Sequence, residues 1–361
     1  MNTSSIRIPR AVILALVALA GILAGCSGGG ATVASSWPGV SADESTAYVA
    51  FNQGIYAVDL ATGLQRWRFP AEADRQMSFY AAPTLTGEGH LIVGGYDKTV
   101  YSLNAANGTP AWHFSGSTDR ILGSPAVAGD LVLVPSGDRN LYALRLATGE
   151  QVWSFETEHA LWAAPLVDNG RVYLPALDHH LYALDLLTGD LLWSQDLGGA
   201  TADTPVLTNG LLLVGTFGNG LQALDAQTGQ AAWSFPTEGW VWGGPTLSEG
   251  TVFFGDVAGV VYALNPADGA EVWRVQPDGP VTGSPVTSGG LVYFATEAGT
   301  VYARRTAGGE PVWEQIFEGK IYTDPLLIGE TLLVAHTGGP ALLTALDAAS
   351  GATRWSYVPA G

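Results

Sequence analysis

The sequence contains very little cysteine and little charge. Cys26 is the only cysteine among 361 residues, so the chain can form no intramolecular disulfide bond and has no Cys-x-x-Cys-His site for haem. Charged residues make up 13% of the chain, and 33 acidic residues outnumber 15 basic ones. A net charge of −18 without a visible basic patch argues against binding to nucleic acid and against electrostatic attachment to anionic lipid.

The apolar run near the N-terminus is too short to span a membrane. It covers residues 11–25, follows Arg7 and Arg10, and ends directly before Cys26. A spanning helix needs roughly 20 residues, whereas this run suits the core of a secretory signal. The small residues before Cys26 resemble the lipobox of bacterial lipoproteins, whose cysteine receives the lipid. The alternative is an ordinary signal peptide with an accidental cysteine.

From this pattern we expect a lipoprotein signal peptide at residues 1–25, lipidation at Cys26, and a flexible tether at 26–34. The tether contains three consecutive glycines at 28–30 and has no large apolar residue up to position 32. A lipid anchor of this kind places a protein outside the cytoplasm. The anchor would sit in an outer membrane, facing the periplasm, or on the outer face of a cytoplasmic membrane.

The rest of the chain repeats itself about every 40 residues. Eight prolines are each followed 28 to 30 residues later by a tryptophan. The prolines are Pro38, Pro83, Pro125, Pro165, Pro205, Pro245, Pro285 and Pro325. The tryptophans are Trp67, Trp112, Trp153, Trp193, Trp233, Trp273, Trp313 and Trp355. A repeat of this length, built from short apolar runs and turns, is typical of the blades of a β-propeller.

Each repeat divides into four short apolar runs. In the third repeat they are residues 126–128, 131–134, 140–144 and 151–155, separated by Gly-Asp, Gly-Asp and Thr-Gly turns. Four strands joined by hairpin turns make one antiparallel blade. The sequence therefore predicts an all-β fold, an eight-bladed propeller of four-stranded blades that fills residues 35–361. We expect it to be monomeric.

The turn before the tryptophan carries the motif Ala-x-Asp-x-x-x-Gly-x-x-x-Trp. Four copies are complete, ending at Trp67, Trp193, Trp233 and Trp355. The motif resembles the tryptophan-docking motif of eight-bladed propellers in the quinoprotein alcohol dehydrogenase superfamily. This resemblance implies that the eight tryptophans dock between neighbouring blades. The glycines of the complete copies, which share this structural role, are Gly63, Gly189, Gly229 and Gly351.

Catalytic chemistry is not expected. Quinoproteins hold pyrroloquinoline quinone against a vicinal cysteine disulfide, together with calcium, and this chain cannot form that disulfide. The six histidines are spread over several repeats without metal-ligand spacing. Asp97, Asp138 and Asp178 recur in equivalent turns, where they either form the turn or bind calcium weakly. We expect no catalytic residue, no metal and no cofactor.

The links between blades are the least regular part of the repeat and carry the candidate partner-binding residues. Aromatic and arginine side chains around a channel mouth are typical of interaction hot spots. The candidates are Trp162, Trp240, Trp242, Phe79, Tyr80, Arg75, Arg120 and Tyr322. Alternatively, some of them plug the channel or extend the core, which we favour for Tyr322. Trp37 is expected to pack the seam between the first and last blades.

Among lipoprotein propellers, the chain resembles the BamB family of outer-membrane assembly factors. That resemblance implies a non-catalytic scaffold whose protein partner is the β-barrel assembly machinery. Ser27 follows the cysteine where an aspartate would retain a lipoprotein in the inner membrane. The alternative is a cell-surface propeller that binds a peptide, a glycan or a small ligand. A quinone-dependent dehydrogenase comes third.

Overall fold

The computed structural model describes residues 37–218 and 220–359. The predicted signal peptide, Cys26 and the tether lie outside these residues. Within the described chain, the strands form eight four-stranded antiparallel sheets, each built from four consecutive strands. These sheets are the blades of an eight-bladed β-propeller, which confirms the predicted fold class.

The first four blades cover roughly the first half of the described chain. Blade 1 contains β1 (Gly39–Ala42), β2 (Thr46–Phe51), β3 (Gly54–Asp59) and β4 (Gln65–Phe69). Blade 2 contains β5 (Thr84–Leu85), β6 (His90–Gly94), β7 (Val100–Asn104) and β8 (Pro110–Phe114). Blade 3 contains β9 (Ala126–Ala128), β10 (Leu131–Pro135), β11 (Asn140–Arg145) and β12 (Gln151–Glu156). Blade 4 contains β13 (Leu166–Asp168), β14 (Arg171–Pro175), β15 (His180–Asp185) and β16 (Leu191–Asp196).

The last four blades repeat the same order. Blade 5 contains β17 (Val206–Thr208), β18 (Leu211–Thr216), β19 (Gly220–Asp225) and β20 (Ala231–Phe235). Blade 6 contains β21 (Thr246–Ser248), β22 (Thr251–Gly255), β23 (Val261–Leu264) and β24 (Glu271–Val275). Blade 7 contains β25 (Val286–Ser288), β26 (Leu291–Ala295), β27 (Thr300–Arg305) and β28 (Pro311–Ile316). Blade 8 contains β29 (Leu326–Ile328), β30 (Thr331–Ala335), β31 (Leu343–Asp347) and β32 (Thr353–Tyr357).

Burial explains the apolar runs of the repeat. The second and third strands of a blade are covered on both faces by the neighbouring blades, and every residue of β10 is buried. The core is therefore a series of layers between blades. One such layer joins Leu133 of blade 3 to Leu174 of blade 4. Each repeated proline directly precedes the first, innermost strand, where a missing N–H disturbs no ladder.

The docking tryptophans join each blade to the next. The indole Nε1–H of Trp193 donates to the carbonyl of Ala226 in blade 5 at 3.3 Å, and the ring lies on Gly229 in the same turn. The same hydrogen bond recurs at every other blade junction of the described chain, with distances from 2.8 to 3.2 Å. The motif glycine thus receives the tryptophan of the preceding blade.

The alanine of the motif is replaced only once among the eight repeats, by Ser102, so this position always carries a small residue. Ala183 lies opposite Trp193 in the ladder between β15 and β16, and the register shifts directly after it. Equivalent shifts occur in the other seven blades described. A small residue opposite the tryptophan leaves room for the indole, and the bulge turns the strand into the docking turn.

The seam between the first and last blades closes without strand exchange, because each blade consists of consecutive strands. Trp355 of blade 8 donates to the carbonyl of Leu60 in blade 1 at 2.8 Å and lies against Gly63. The hydroxyl of Tyr357 donates to Oε1 of Gln65 at 2.6 Å. The seam is therefore packed by the ordinary docking contact.

Among the described residues, no helix is long and apolar enough to cross a membrane.

We expect Gly229→Ala to destabilise the propeller by about 2 kcal/mol or more. Gly229 has a φ of +74°, and an added Cβ would lie 2.5 Å from Cε3 of Trp193. Gly210→Ala is the matched control, because Gly210 has a φ of +78° in the same blade but open space around its Cα. Chemical denaturation of both variants measures the difference. Equal losses in the two variants would show that contact with the indole does not restrict this position.

Candidate functional site

The antiparallel order of the strands places two kinds of loop on the same side of the ring. These are the links between blades and the turns between the second and third strands, and we call this side the link face. Backbone hydrogen bonds hold them together: the N–H of Val257 donates to the carbonyl of Trp240 at 3.0 Å, and that of Glu297 to Pro280 at 2.9 Å. The backbone that carries the side chains of these loops is therefore fixed by hydrogen bonds between a link and a turn.

The repeated aspartates also stabilise the loops of the link face through hydrogen bonds. Asp97, Asp138 and Asp178 each accept a hydrogen bond from the tyrosine four residues later. Asp138 additionally accepts the backbone N–H of Thr118, in the preceding link, at 2.7 Å. Burial opposes ionisation of Asp138, but these hydrogen bonds keep its pKa below the usual value. In the described ranges, no three His, Cys, Asp or Glu side chains are grouped so that they could hold a metal ion.

Five aromatic side chains meet on the link face, and we call them the aromatic cluster: Trp37, Phe217, Trp240, Trp242 and Tyr322. Phe217 stacks on Trp240 and on Trp242, with ring centroids 5.5 and 4.9 Å apart. Trp37 stacks on Tyr322 at 5.5 Å and meets Trp242 edge-on at 6.2 Å. The cluster therefore connects loops of blades 5, 6 and 8 with the segment that enters blade 1.

A cavity of about 260 Å³ opens within this cluster. Its walls contain four of the aromatic rings together with Val257, Thr282 and Glu297. Burial raises the pKa of the Glu297 carboxyl, and the charge of Lys320 partly opposes that rise. The cavity thus combines aromatic rings with one partly buried carboxyl group, that of Glu297.

A second, smaller aromatic group lies on the link face at blades 2 and 3. Tyr80 stacks on Tyr96 with ring centroids 4.7 Å apart. The guanidinium of Arg120 lies 4.3 Å from the centroid of the Tyr96 ring and donates to its hydroxyl at 2.6 Å. Burial, followed by the neighbouring Tyr96, raises the pKa of Tyr80 to about 12. In this group, the exposed side chain of Arg120 lies against the ring of Tyr96.

The remaining predicted binding residues have different environments. Trp240 and Trp162 are 47% and 39% exposed, and Arg75 is exposed. Phe79 is fully buried in the core between blades 1 and 2, so its side chain does not reach the surface where a partner would bind. Tyr322, which we expect in the core, is half-buried and lines the cavity.

Trp37 is 46% exposed and belongs to the aromatic cluster, where it stacks on Tyr322 in the link that enters blade 8. The strands of the seam itself are packed by Trp355. Pro38 follows it directly and leads into β1. Trp37 therefore brings the aromatic cluster to the point where the chain enters the first blade.

Two carboxylates lie near the axis of the ring, where the innermost strands begin. The hydroxyl of Ser284 donates to Oδ2 of Asp203 at 2.9 Å, and its N–H donates to Oδ1 of Asp324 at 2.6 Å. The protein atoms packed around this position, and then the charge of Asp203, raise the pKa of Asp324 to about 7, although part of the residue stays exposed to solvent. Burial likewise raises the pKa of Asp203. The two aspartates precede the first strands of blades 5 and 8, and the serine that they share precedes the first strand of blade 7.

Sequence reasoning missed Phe217, Glu297, Tyr96 and the two axial aspartates. Phe217, Val257 and Glu297 are spaced 40 residues apart in equivalent turns, so the repeat itself could have placed them on one face. The axial aspartates lie within two residues of a repeated proline. Their meeting across three blades carries no local sequence signal.

The sequence comparison decides the family. Residues 24–123, 116–208, 181–276 and 257–361 match the family model described as outer membrane protein assembly factor BamB. These segments together cover the whole propeller. The chain belongs to the BamB family. No curated protein sequence matches it.

Solved structures share the fold of this BamB-family chain. BamB from Moraxella catarrhalis is 19% identical, with a TM-score of 0.70 over 85% of this chain and 92% of its own. The computationally designed Ika8 protein is 14% identical, with a TM-score of 0.71 over 85% and 94%. A europium-containing methanol dehydrogenase is 15% identical, with a TM-score of 0.71 over 86% and 82%. At these identities the likeness establishes the fold alone.

The dehydrogenase raises the question of whether a quinone would fit this BamB-family propeller. The disulfide platform of quinoproteins requires two neighbouring cysteines, and the described residues contain none, since Cys26 lies outside them. The axial pair Asp203 and Asp324 is already bound by backbone N–H groups and by Ser284. The residues present therefore do not fit the quinone site of those enzymes.

Proposed function

We propose that this BamB-family chain is a non-catalytic, lipid-anchored scaffold that binds a protein partner in outer-membrane β-barrel assembly. The match of the family model along the whole propeller carries the proposal. Lipidation at Cys26 would hold the propeller at the outer membrane, where it faces the periplasm. The absence of a fitting quinone platform supports the scaffold over a dehydrogenase.

The link face is the surface that we assign to the partner. Its aromatic cluster offers large, rigid and partly exposed rings, which are the side chains that dominate binding energy at interfaces. Trp240 and the turn of Val257 are held by a backbone hydrogen bond, so binding costs little ordering of the loop. A flat partner surface could cover the rings without rearranging the blades.

Crosslinking and pull-down from native membranes test this proposal. We expect wild-type protein to recover a β-barrel assembly protein, and Trp240→Ala/Trp242→Ala to lose it. Leu187→Ala/Leu191→Ala is the control, since both leucines are exposed apolar residues away from the link face. Recovery of the partner by both double variants would exclude the aromatic cluster as the interface. Recovery of no protein partner by wild type would contradict the scaffold.

The second candidate function is a propeller that binds a peptide, a glycan or a small ligand at the cell surface. The cavity in the aromatic cluster favours it, because concave sites with aromatic walls and a few polar groups are typical ligand sites. At about 260 Å³ the cavity fits one side chain or a small ligand better than a large one. Retention of such a ligand, without any protein partner, would support this candidate.

A further inference from the structure

The cavity of the aromatic cluster has the two features that attract an organic cation. Its indole and phenol rings present negatively polarised faces, which attract cations within about 6 Å of the ring centroid. Glu297 adds a carboxyl group to the same wall. The seven residues that line the cavity include no cation, and Lys320, whose charge acts on Glu297, lies outside this lining.

Cations of the protein already lie on aromatic rings of this face. Nζ of Lys320 is 5.6 Å from the centroid of Tyr322, a ring that also lines the cavity. Across the face, the guanidinium of Arg120 lies 4.3 Å from the centroid of Tyr96. These two contacts show the kind of group that the rings of the link face accept. Neither Lys320 nor Arg120 is among the residues that line the cavity.

We propose that this cavity binds a guanidinium group, the side chain of an arginine in a polypeptide bound to the link face. The planar group would stack on an indole of the cluster while its N–H groups donate to the carboxylate of Glu297. Arginine suits the site better than lysine, because a guanidinium stacks on rings, binds carboxylates in two contacts and is more weakly hydrated than an ammonium.

The overall charge supports the same ligand. The chain carries a net charge of −18, which favours the approach of a basic segment over an acidic one. The size of the cavity agrees too, because about 260 Å³ is below the 300–1,000 Å³ of typical drug-sized sites. This inference rests on the proposed function for its source of arginine, but its chemistry can be tested without the partner.

The test is a titration of the full chain, purified in detergent, followed through its indole N–H resonances by NMR. The probe is Nα-acetyl-arginine methylamide, and the comparison compounds are the matching lysine and citrulline derivatives. We expect the arginine probe to shift the resonances of Trp37, Trp240 and Trp242, with a dissociation constant on the order of millimolar. Citrulline has a similar shape without the charge and should bind at least about tenfold more weakly.

Variants locate the charge. Glu297→Gln should weaken binding of the arginine probe about tenfold or more, because it removes the charged acceptor and keeps the shape. Glu314→Gln, on the exposed outer strand β28 of the same blade, makes the same change in net charge and should leave the affinity unchanged. Equal weakening by the two variants would show a general charge effect and overturn the site.

The comparison compounds decide the rest on unaltered protein. If citrulline or lysine bound as tightly as arginine, the guanidinium assignment would be wrong. If the arginine probe failed to bind while the pull-down still recovered a partner through Trp240 and Trp242, only this inference would fall. If the probe bound and no assembly protein were recovered, the cavity would stand and the assembly role would fall.

Discussion

Replacing Trp273 with alanine should lower the free energy of unfolding by about 3–5 kcal/mol, the usual cost of truncating a buried aromatic side chain. Trp273 is 8% exposed, and its ring packs on Phe253 with centroids 5.7 Å apart. Its Nε1–H donates to the carbonyl of Thr306 in blade 7 at 2.8 Å. The variant therefore loses an inter-blade core contact and leaves a buried carbonyl without its donor.

Val272→Ala is the control for this variant. Val272 precedes Trp273 on β24 and is one of the exposed large apolar residues, so its truncation should change stability by less than about 0.5 kcal/mol. Denaturant unfolding followed by circular dichroism measures both variants. Trp193→Ala should also lower the melting temperature markedly, but by less, because Trp193 is only half-buried and its hydrogen bond is 3.3 Å long. An unchanged transition in Trp273→Ala would refute the docking role.

His336 should make the propeller lose stability as the pH falls from about 6.5 to about 4. The side chain is 3% exposed, packs on Phe317 with ring centroids 4.6 Å apart, and neither ring nitrogen has a hydrogen-bond partner within the described chain. Burial lowers the pKa of His336 to about 4 from its ordinary value of 6.5. The unfolded chain therefore binds the proton first, and the folded state loses up to about 3 kcal/mol across this range.

His336→Leu should flatten this pH dependence and leave stability at pH 7 equal or higher, since an unpartnered buried imidazole is replaced by an apolar side chain. His113→Leu, at an exposed position on β8, should retain the wild-type profile. Unfolding free energies at pH 7, 5.5 and 4.5 compare the three proteins. Parallel profiles for wild type and His336→Leu would show that other groups cause the loss of stability in acid.

The fold could be predicted because its information is local and repeated. Each blade is specified by its own proline, turns and tryptophan, and apolar runs such as β10 carry the burial on both faces. The closure of the ring could not be decided in this way. Strand exchange at the seam would use the same apolar pattern as the observed closure by Trp355 and Gly63. Only the contacts between the two ends distinguish them.

The candidate site could be predicted only in part, because it is assembled from several blades. The links pointed to Trp240 and Trp242, but their stacking partner Phe217 comes from a turn of another blade. Phe79 is likewise an aromatic residue in a link between blades, yet its side chain is buried between blades 1 and 2. A sequence gives the loop on which a ring lies; the direction of the ring depends on the neighbouring blade.

The seam has a further consequence for how the ring holds together. Among the described blades, it is the one junction that the polypeptide chain does not cross between consecutive repeats. Blade 1 is in effect a ligand of blade 8, and the intervening blades keep it at a high effective concentration. Opening of the ring at Trp355 is thus an intramolecular equilibrium, which does not change when the protein is diluted. Binding of a partner to the link face, by contrast, weakens on dilution.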